Sequence, residues 1–121
     1  MIVTMPWPAS ELSPNVNRHW RTKARLKAKQ RSTWAWLAQE KKSELAGAVL
    51  ADAVAVYVGL VFCPPTKHKR DLDNCLASCK SGLDGLADAL GVDDSRFKLH
   101  LCFGDVVRFG AVQVQVLPVL P

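Results

Sequence analysis

Val54-Ala55-Val56-Tyr57-Val58-Gly59-Leu60-Val61-Phe62 reads as a long strand. At period two, Val54, Val56, Val58, Leu60 and Phe62 share one face, while Ala55, Tyr57, Gly59 and Val61 share the other. Both faces are free of charge, so the strand belongs in the middle of a sheet rather than at its edge. Pro64-Pro65 closes it, because proline has no N–H for a ladder.

The chain beyond Pro65 supplies the second layer. From Leu72 the apolar positions are Leu72, Leu76, Cys79, Leu83, Leu86 and Leu90, at helical spacing, and the sequence predicts one amphipathic helix of about five turns. Asp73, Ala77, Lys80, Asp84 and Asp88 form the opposite, polar row. Gly91 is placed as the helix stop, and Val92-Asp93-Asp94-Ser95 turns the chain back. Lys98 to Phe103 and Ala111 to Leu117 alternate apolar and polar residues and read as a hairpin joined across Gly104 to Gly110.

Upstream, Met1 to Pro8 is a short strand whose two prolines put it at an edge or end it. Ser13-Pro14-Asn15-Val16-Asn17 is turn-like, with Ser and Asn side chains suited to capping the next helix. That helix is expected from about Trp20 to Ala46, ended by Gly47, with Trp34, Leu37, Ala38 and Leu45 on the core and Trp34 and Trp36 as packing residues. His19, at its entry, can cap, meet a phosphate or lie exposed. The order β-α-β-α-β-β is a single α+β domain over residues 1–121, with a mixed sheet of about four strands and two main helices.

Composition bounds the function. A chain of 121 residues, 49% hydrophobic, holds one modest core. No apolar run is long enough to cross a membrane, and Met1 to Pro8 lacks the features of a signal peptide. The four cysteines, Cys63, Cys75, Cys79 and Cys102, lack zinc-site spacing and read as buried, reduced thiols of a cytoplasmic protein. Neither GxGxxG nor GxxxxGK[ST] occurs, which argues against a nucleotide cofactor. The net charge of +5 favours a polyanionic partner.

The charge is localised. Arg18, Arg21, Lys23, Arg25, Lys27, Lys29 and Arg31 fall within fourteen residues, with no acid between Glu11 and Glu40. A solvated helix face is the bland reading. Seven like charges on more than one face repel one another unless phosphates neutralise them, which makes DNA contact the better one. Lys67, Lys69 and Arg70 form a second basic cluster, running directly into Asp71-Leu72-Asp73-Asn74. Asp71 and Asp73 at a helix start can simply be caps, favoured there by the helix dipole. A cap needs only one carboxylate, however, and Asp93-Asp94 offers another after the helix. Carboxylates beside a basic patch suit a hard divalent cation next to a phosphodiester.

Arg70-Asp71-Leu72-Asp73-Asn74, the helix through Asp84-Gly-Leu-Ala-Asp-Ala-Leu90 and the Asp93-Asp94 pair resemble the RusA-type Holliday junction resolvases, crossover junction endodeoxyribonucleases of bacteria and their prophages. Met5-Pro-Trp-Pro, Ser13-Pro14-Asn15 and Asn17-Arg18-His19-Trp20 are similar to that family's N-terminal region, so the resemblance covers nearly the whole chain. It implies a homodimeric, Mg2+-dependent nuclease of DNA recombination and repair that nicks four-way junctions symmetrically. Asp71, Asp73 and Asp94 would be its metal ligands. The family's lysine position, one turn past the second aspartate, is Ala77 here. Lys80 takes the catalytic role by reach along the helix, or Lys67 or Lys69 does. Two other classes stay open: a non-catalytic DNA-binding protein, and a metal-dependent phosphatase or ribonuclease.

Overall fold

A computed structural model describes residues 1–45 and 53–119. Four strands, β1 (Ile2–Pro6), β2 (Ala55–Cys63), β3 (Phe97–Phe103) and β4 (Ala111–Val119), form one mixed sheet in the order β1-β4-β2-β3. Three helices, α1 (Trp20–Lys41), α2 (Leu72–Ser78) and α3 (Lys80–Leu90), accompany it. The α+β class, the four strands and the element order agree with the sequence reading. Among the described residues no helix is long and apolar enough to cross a membrane.

β2 is central, between β4 and β3. Val56, Val58, Leu60 and Phe62 are buried, together with Val112, Val114 and Val116 of β4, and Val3 and Met5 of β1. Trp34 and Ala38 of α1, Cys75 and Cys79, and Leu83, Leu86 and Leu90 of α3 close the core from above. Among the described residues the sheet's other face carries no second layer. Thr4, Gln113, Gln115, Lys98 and His100 are exposed there, and the Tyr57 ring lies along Gly59 and stacks on His100 at 6.3 Å. The uncharged row Ala55, Tyr57, Gly59 and Val61 is thus covered in part by the Tyr57 ring lying along the sheet, and not by a layer of helices.

The expected hairpin does not form. β3 runs parallel to β2, with Phe97 opposite Val56 and Phe103 opposite Phe62. β4 lies on the other side of β2 and runs antiparallel to both β2 and β1. Residues 104–110 carry the chain over the end of β2, guided by Gly104 N–H donating to Phe62 O (2.9 Å) and Val107 N–H to Pro64 O (3.0 Å). Passing one strand requires a span of two strand spacings, about 10 Å, which a seven-residue loop covers easily.

The single helix expected from Leu72 to Leu90 is broken at Cys79, whose φ of −108° and ψ of 7° end α2 before α3 begins. Gln30 of α1, a buried polar residue, bridges the break. Its Nε2 donates to Ser78 O and its Oε1 accepts from Gly82 N–H, both at 2.9 Å. One side chain therefore satisfies a carbonyl at the end of α2 and an N–H at the start of α3. Nearby, α1 and α3 pack almost backbone to backbone. A Cβ at Gly85 would lie 2.1 Å from Arg31 O, and one at Gly82 would lie 2.4 Å from the Trp34 ring. Gly91, at φ +68°, ends α3 as expected.

α1 begins at Trp20 as expected, but its cap is His19, whose Nδ1 accepts from Arg21 N–H at 3.2 Å. Ser13 Oγ instead meets Asn15 N–H within its own turn. The helix ends at Lys41 and passes into a 3-10 turn at Lys42–Glu44. The extension to Ala46 and the stop at Gly47 lie outside the described residues. Trp34 is fully buried, whereas Trp36 is 63% exposed and is not a packing residue.

Candidate nucleic-acid and metal site

The chain leaves β2 through Pro64-Pro65 and reaches α2 by a loop, residues 66–70, held by a Thr66 Oγ1 to His68 Nδ1 hydrogen bond (3.1 Å) and above all by the Arg70 side chain. Arg70 Nη1 donates to Thr66 O (2.8 Å) and His68 O (3.0 Å), and Nη2 donates to Thr66 Oγ1 (2.9 Å). Its guanidinium lies 5.5 Å from the centre of the Trp7 ring. Arg70, expected to meet DNA, is thus a brace that fixes the loop presenting Lys67 and Lys69, both exposed.

Asp71 caps α2, its Oδ1 accepting from Asp73 N–H at 2.9 Å. Asp71 and Asp73 are both exposed. Among the described residues, neither Asp71 Oδ2 nor the Asp73 carboxylate has a protein partner. Asp71 lines an open groove of about 670 Å³ whose walls include Lys69, Arg70, Asn74 and, from the N-terminal segment, Trp7, Ser10 and Ser13. The oxygen donors lining this groove are the Asp71 carboxylate and the Asn74 amide oxygen, with Asp73 exposed two residues further along α2, and oxygen ligands suit Mg2+. That ion is commonly held by one or two carboxylates, with waters and substrate phosphate completing its shell.

Asp94 is elsewhere. It sits in a 3-10 turn beyond α3 that leads into Phe97, and Phe97 pairs with Val56 at the start of β2. Asp71 comes after the other end of β2, so the two lie toward opposite ends of that strand and line different depressions. Asp94 instead borders a shallow depression with Arg31, Asp84, Asp88 and Asp93. Arg31 pairs with Asp88 through two contacts of 2.7 and 3.0 Å, which hold the Asp88 carboxyl below its ordinary range. Asp93 accepts from Ser95 N–H and is lowered for that reason. Among the described residues no three His, Cys, Asp or Glu side chains of one chain stand close enough to hold a metal. A return of the chain does not bring Asp94 alongside Asp71 and Asp73.

No family model matches the chain. It is 38% identical over 106 residues to an uncharacterized protein of Xylella fastidiosa (strain Temecula1 / ATCC 700964), across 88% of this chain and 68% of that protein. The chain belongs to that protein's family.

In this member the cations fall into two rows on α1. Lys23, Lys27 and Arg31 face α3, while Arg21, Arg25 and Lys29 share a second, exposed face with four-residue spacing. Arg21 lies 5.3 Å over the Trp20 ring, itself 68% exposed, and Arg18 is exposed in the preceding turn. Lys80 begins α3 and lines, with Lys23, Lys27, Ser81 and Asp84, a groove of about 390 Å³. This groove adjoins the Asp71 groove, the two sharing Ser78. Lys80 therefore stands with the α1 cations and not in the lining of the Asp71 groove. Of the three roles open to His19 the structure shows the cap, whereas the bridging role of Gln30 has no signature in the sequence. Its partners lie 48 and 52 residues away, in two other helices.

Proposed function

We propose that this chain is a metal-dependent endonuclease acting on branched DNA, in the manner of the RusA-type resolvases it resembles. The observation carrying the reading is the placing of Asp71 in a groove walled by Lys69 and Arg70, with Asp73 two residues further along α2 and a second groove, lined by Lys23, Lys27 and Lys80, meeting the first at Ser78. Carboxylates amid so many cations are suited to a site where a cation and a polyanion meet. Asp71 and Asp73 would hold Mg2+, which supplies water activation and charge neutralisation on a phosphodiester.

The chain's own residues have separate tasks. Arg70 fixes the loop, and through it the entry to α2. Lys69 and Lys67 hold the phosphate nearest the carboxylates, in the electrostatic role for which Lys80 lies in the wrong groove. Lys23, Lys27 and Lys80 take a neighbouring phosphate, and Arg18, Arg21, Arg25 and Lys29 extend the track along α1. Contacts of this kind position the duplex and carry little sequence information, so selectivity rests on shape.

Among the described residues no third carboxylate of the same chain stands with Asp71 and Asp73, and a second copy can supply one. β3 is an edge strand, and two copies joined antiparallel through it would carry the partner's Asp94 toward Asp71. This homodimer also suits a junction, whose two opposed strands need two sites. A non-catalytic DNA-binding reading draws support from Asp71 acting as a cap. Incubation with a labelled four-way junction separates the two: paired nicks in Mg2+, none in chelator and persistence against excess linear duplex support the nuclease. Binding without any nicking refutes it.

A further inference from the structure

We infer that residues 104–110 form a stacking wedge, in which Phe109, backed by Arg108, receives an unstacked nucleobase at the branch point of the DNA. The proposal rests on the nuclease reading for its ligand and on separate geometry for its site. Phe109 is 79% exposed and has a φ of +67°, the one left-handed non-glycine residue among those described. A bulky residue is disfavoured there, and such conformations persist when their surroundings enforce them.

The surroundings do so here. Gly110, also left-handed at φ +71°, donates its N–H to Val107 O at 2.9 Å, and Val107 N–H is tied to Pro64 O at 3.0 Å. A Cβ at Gly110 would lie 2.9 Å from Trp7 and 3.0 Å from Pro65, so no larger residue fits the base of the loop without a shift. The loop thus stands on a fixed footing and throws the Phe109 ring outward. Val106 and Val107 add exposed apolar surface beside it, and the Arg108 guanidinium lies 4.9 Å over the ring.

Position selects the occupant. Trp7, against which Gly110 packs, is also a wall of the Asp71 groove and the ring under Arg70. Wedge and groove therefore share one wall at one end of the sheet. An aromatic tip with a stacked cation, next to a basic groove, complements a polyanion that offers π-faces, and every base offers one. Paired bases inside a duplex are not available to it, whereas bases at a branch point are. The wedge would make the protein prefer junctions over linear DNA, while the α1 cations bind both.

The test compares parent, Phe109→Asn, Phe109→Trp and Arg108→Gln, all in chelator, on a four-way junction with 2-aminopurine at the branch and on linear duplex of the same sequences. Asparagine tolerates the left-handed conformation, and thermal midpoints verify folding. Phe109→Asn is expected to lose junction affinity about tenfold while duplex affinity stays within about twofold, and to abolish the 2-aminopurine response. Phe109→Trp should retain that response, and Arg108→Gln should weaken it in part. Unchanged junction affinity in Phe109→Asn, or equal losses on junction and duplex, would overturn the wedge. So would a shift from dimer to monomer in sedimentation, which would make the tip a subunit contact. Intact junction cleavage by the parent alongside those results would leave the nuclease reading standing, whereas a parent that neither prefers nor cuts junctions removes both.

Discussion

Replacing Gln30 with alanine should destabilise the protein far more than truncating any other polar side chain on α1. The side chain makes two hydrogen bonds of 2.9 Å to backbone groups of two different helices, in a buried position. Alanine leaves Ser78 C=O and Gly82 N–H without a partner where water has poor access. Each unsatisfied group costs about 1–3 kcal/mol, so the loss should be about 3 kcal/mol. For a domain of this length that is a large fraction of the whole stability, and it should lower the thermal midpoint by roughly 10 °C. Gln30→Glu should lose at least as much, since its carboxylate can accept from Gly82 N–H but sets a buried negative oxygen against Ser78 O. Gln39→Ala, exposed on the same helix, should stay within about 0.5 kcal/mol. Urea unfolding of the three variants measures this. A Gln30→Ala protein within about 0.5 kcal/mol of the parent would show that the break at Cys79 holds without the bridge.

Cys79 is buried and its thiol is pushed up to about 12 by desolvation, so it should resist alkylation at pH 8, while half-exposed Cys102 should react first. Mass spectrometry of partly modified protein reads the order, and early labelling of Cys79 would contradict the burial. Because that pKa is raised on folding, stability should fall as pH rises above about 9, where the unfolded thiol ionises first. If the partner's Asp94 completes the site, Asp71→Asn and Asp94→Asn proteins, each inactive, should regain nicking when refolded together. A mixed dimer then has one intact site. No recovery from a verified mixture would place all the metal ligands within one chain.

The parts of the fold legible in the sequence are those set by side-chain periodicity. Val54–Phe62 announced a central strand and Leu72–Leu90 a helical layer, because burial imposes the periods two and 3.6 directly. The pairing of β3 and β4 was not legible. Alternation states which residues face the core and is silent on which strand lies next door, so a hairpin and a passage over β2 look alike. The break at Cys79 was hidden for a related reason, since its bridge comes from Gln30, 48 residues from Ser78. The distance of Asp94 from Asp71 was implicit in the helix itself. Nearly five turns carry the chain along the length of the sheet and away from the first carboxylates. Phe109 gave no signal, because nothing local marks an aromatic residue as left-handed.

The central claim is that Asp71 and Asp73 hold the metal for phosphodiester hydrolysis. Asp73→Asn tests it most directly, since it keeps size and leaves the Asp71 cap bond to the Asp73 N–H in place. The measurement is the single-turnover nicking rate of a four-way junction in Mg2+, with thermal midpoint and junction affinity taken on the same sample. The account predicts a folded variant that binds the junction at least as tightly as the parent and nicks it slower by orders of magnitude. A folded Asp73→Asn protein that nicks at the parent rate would contradict it.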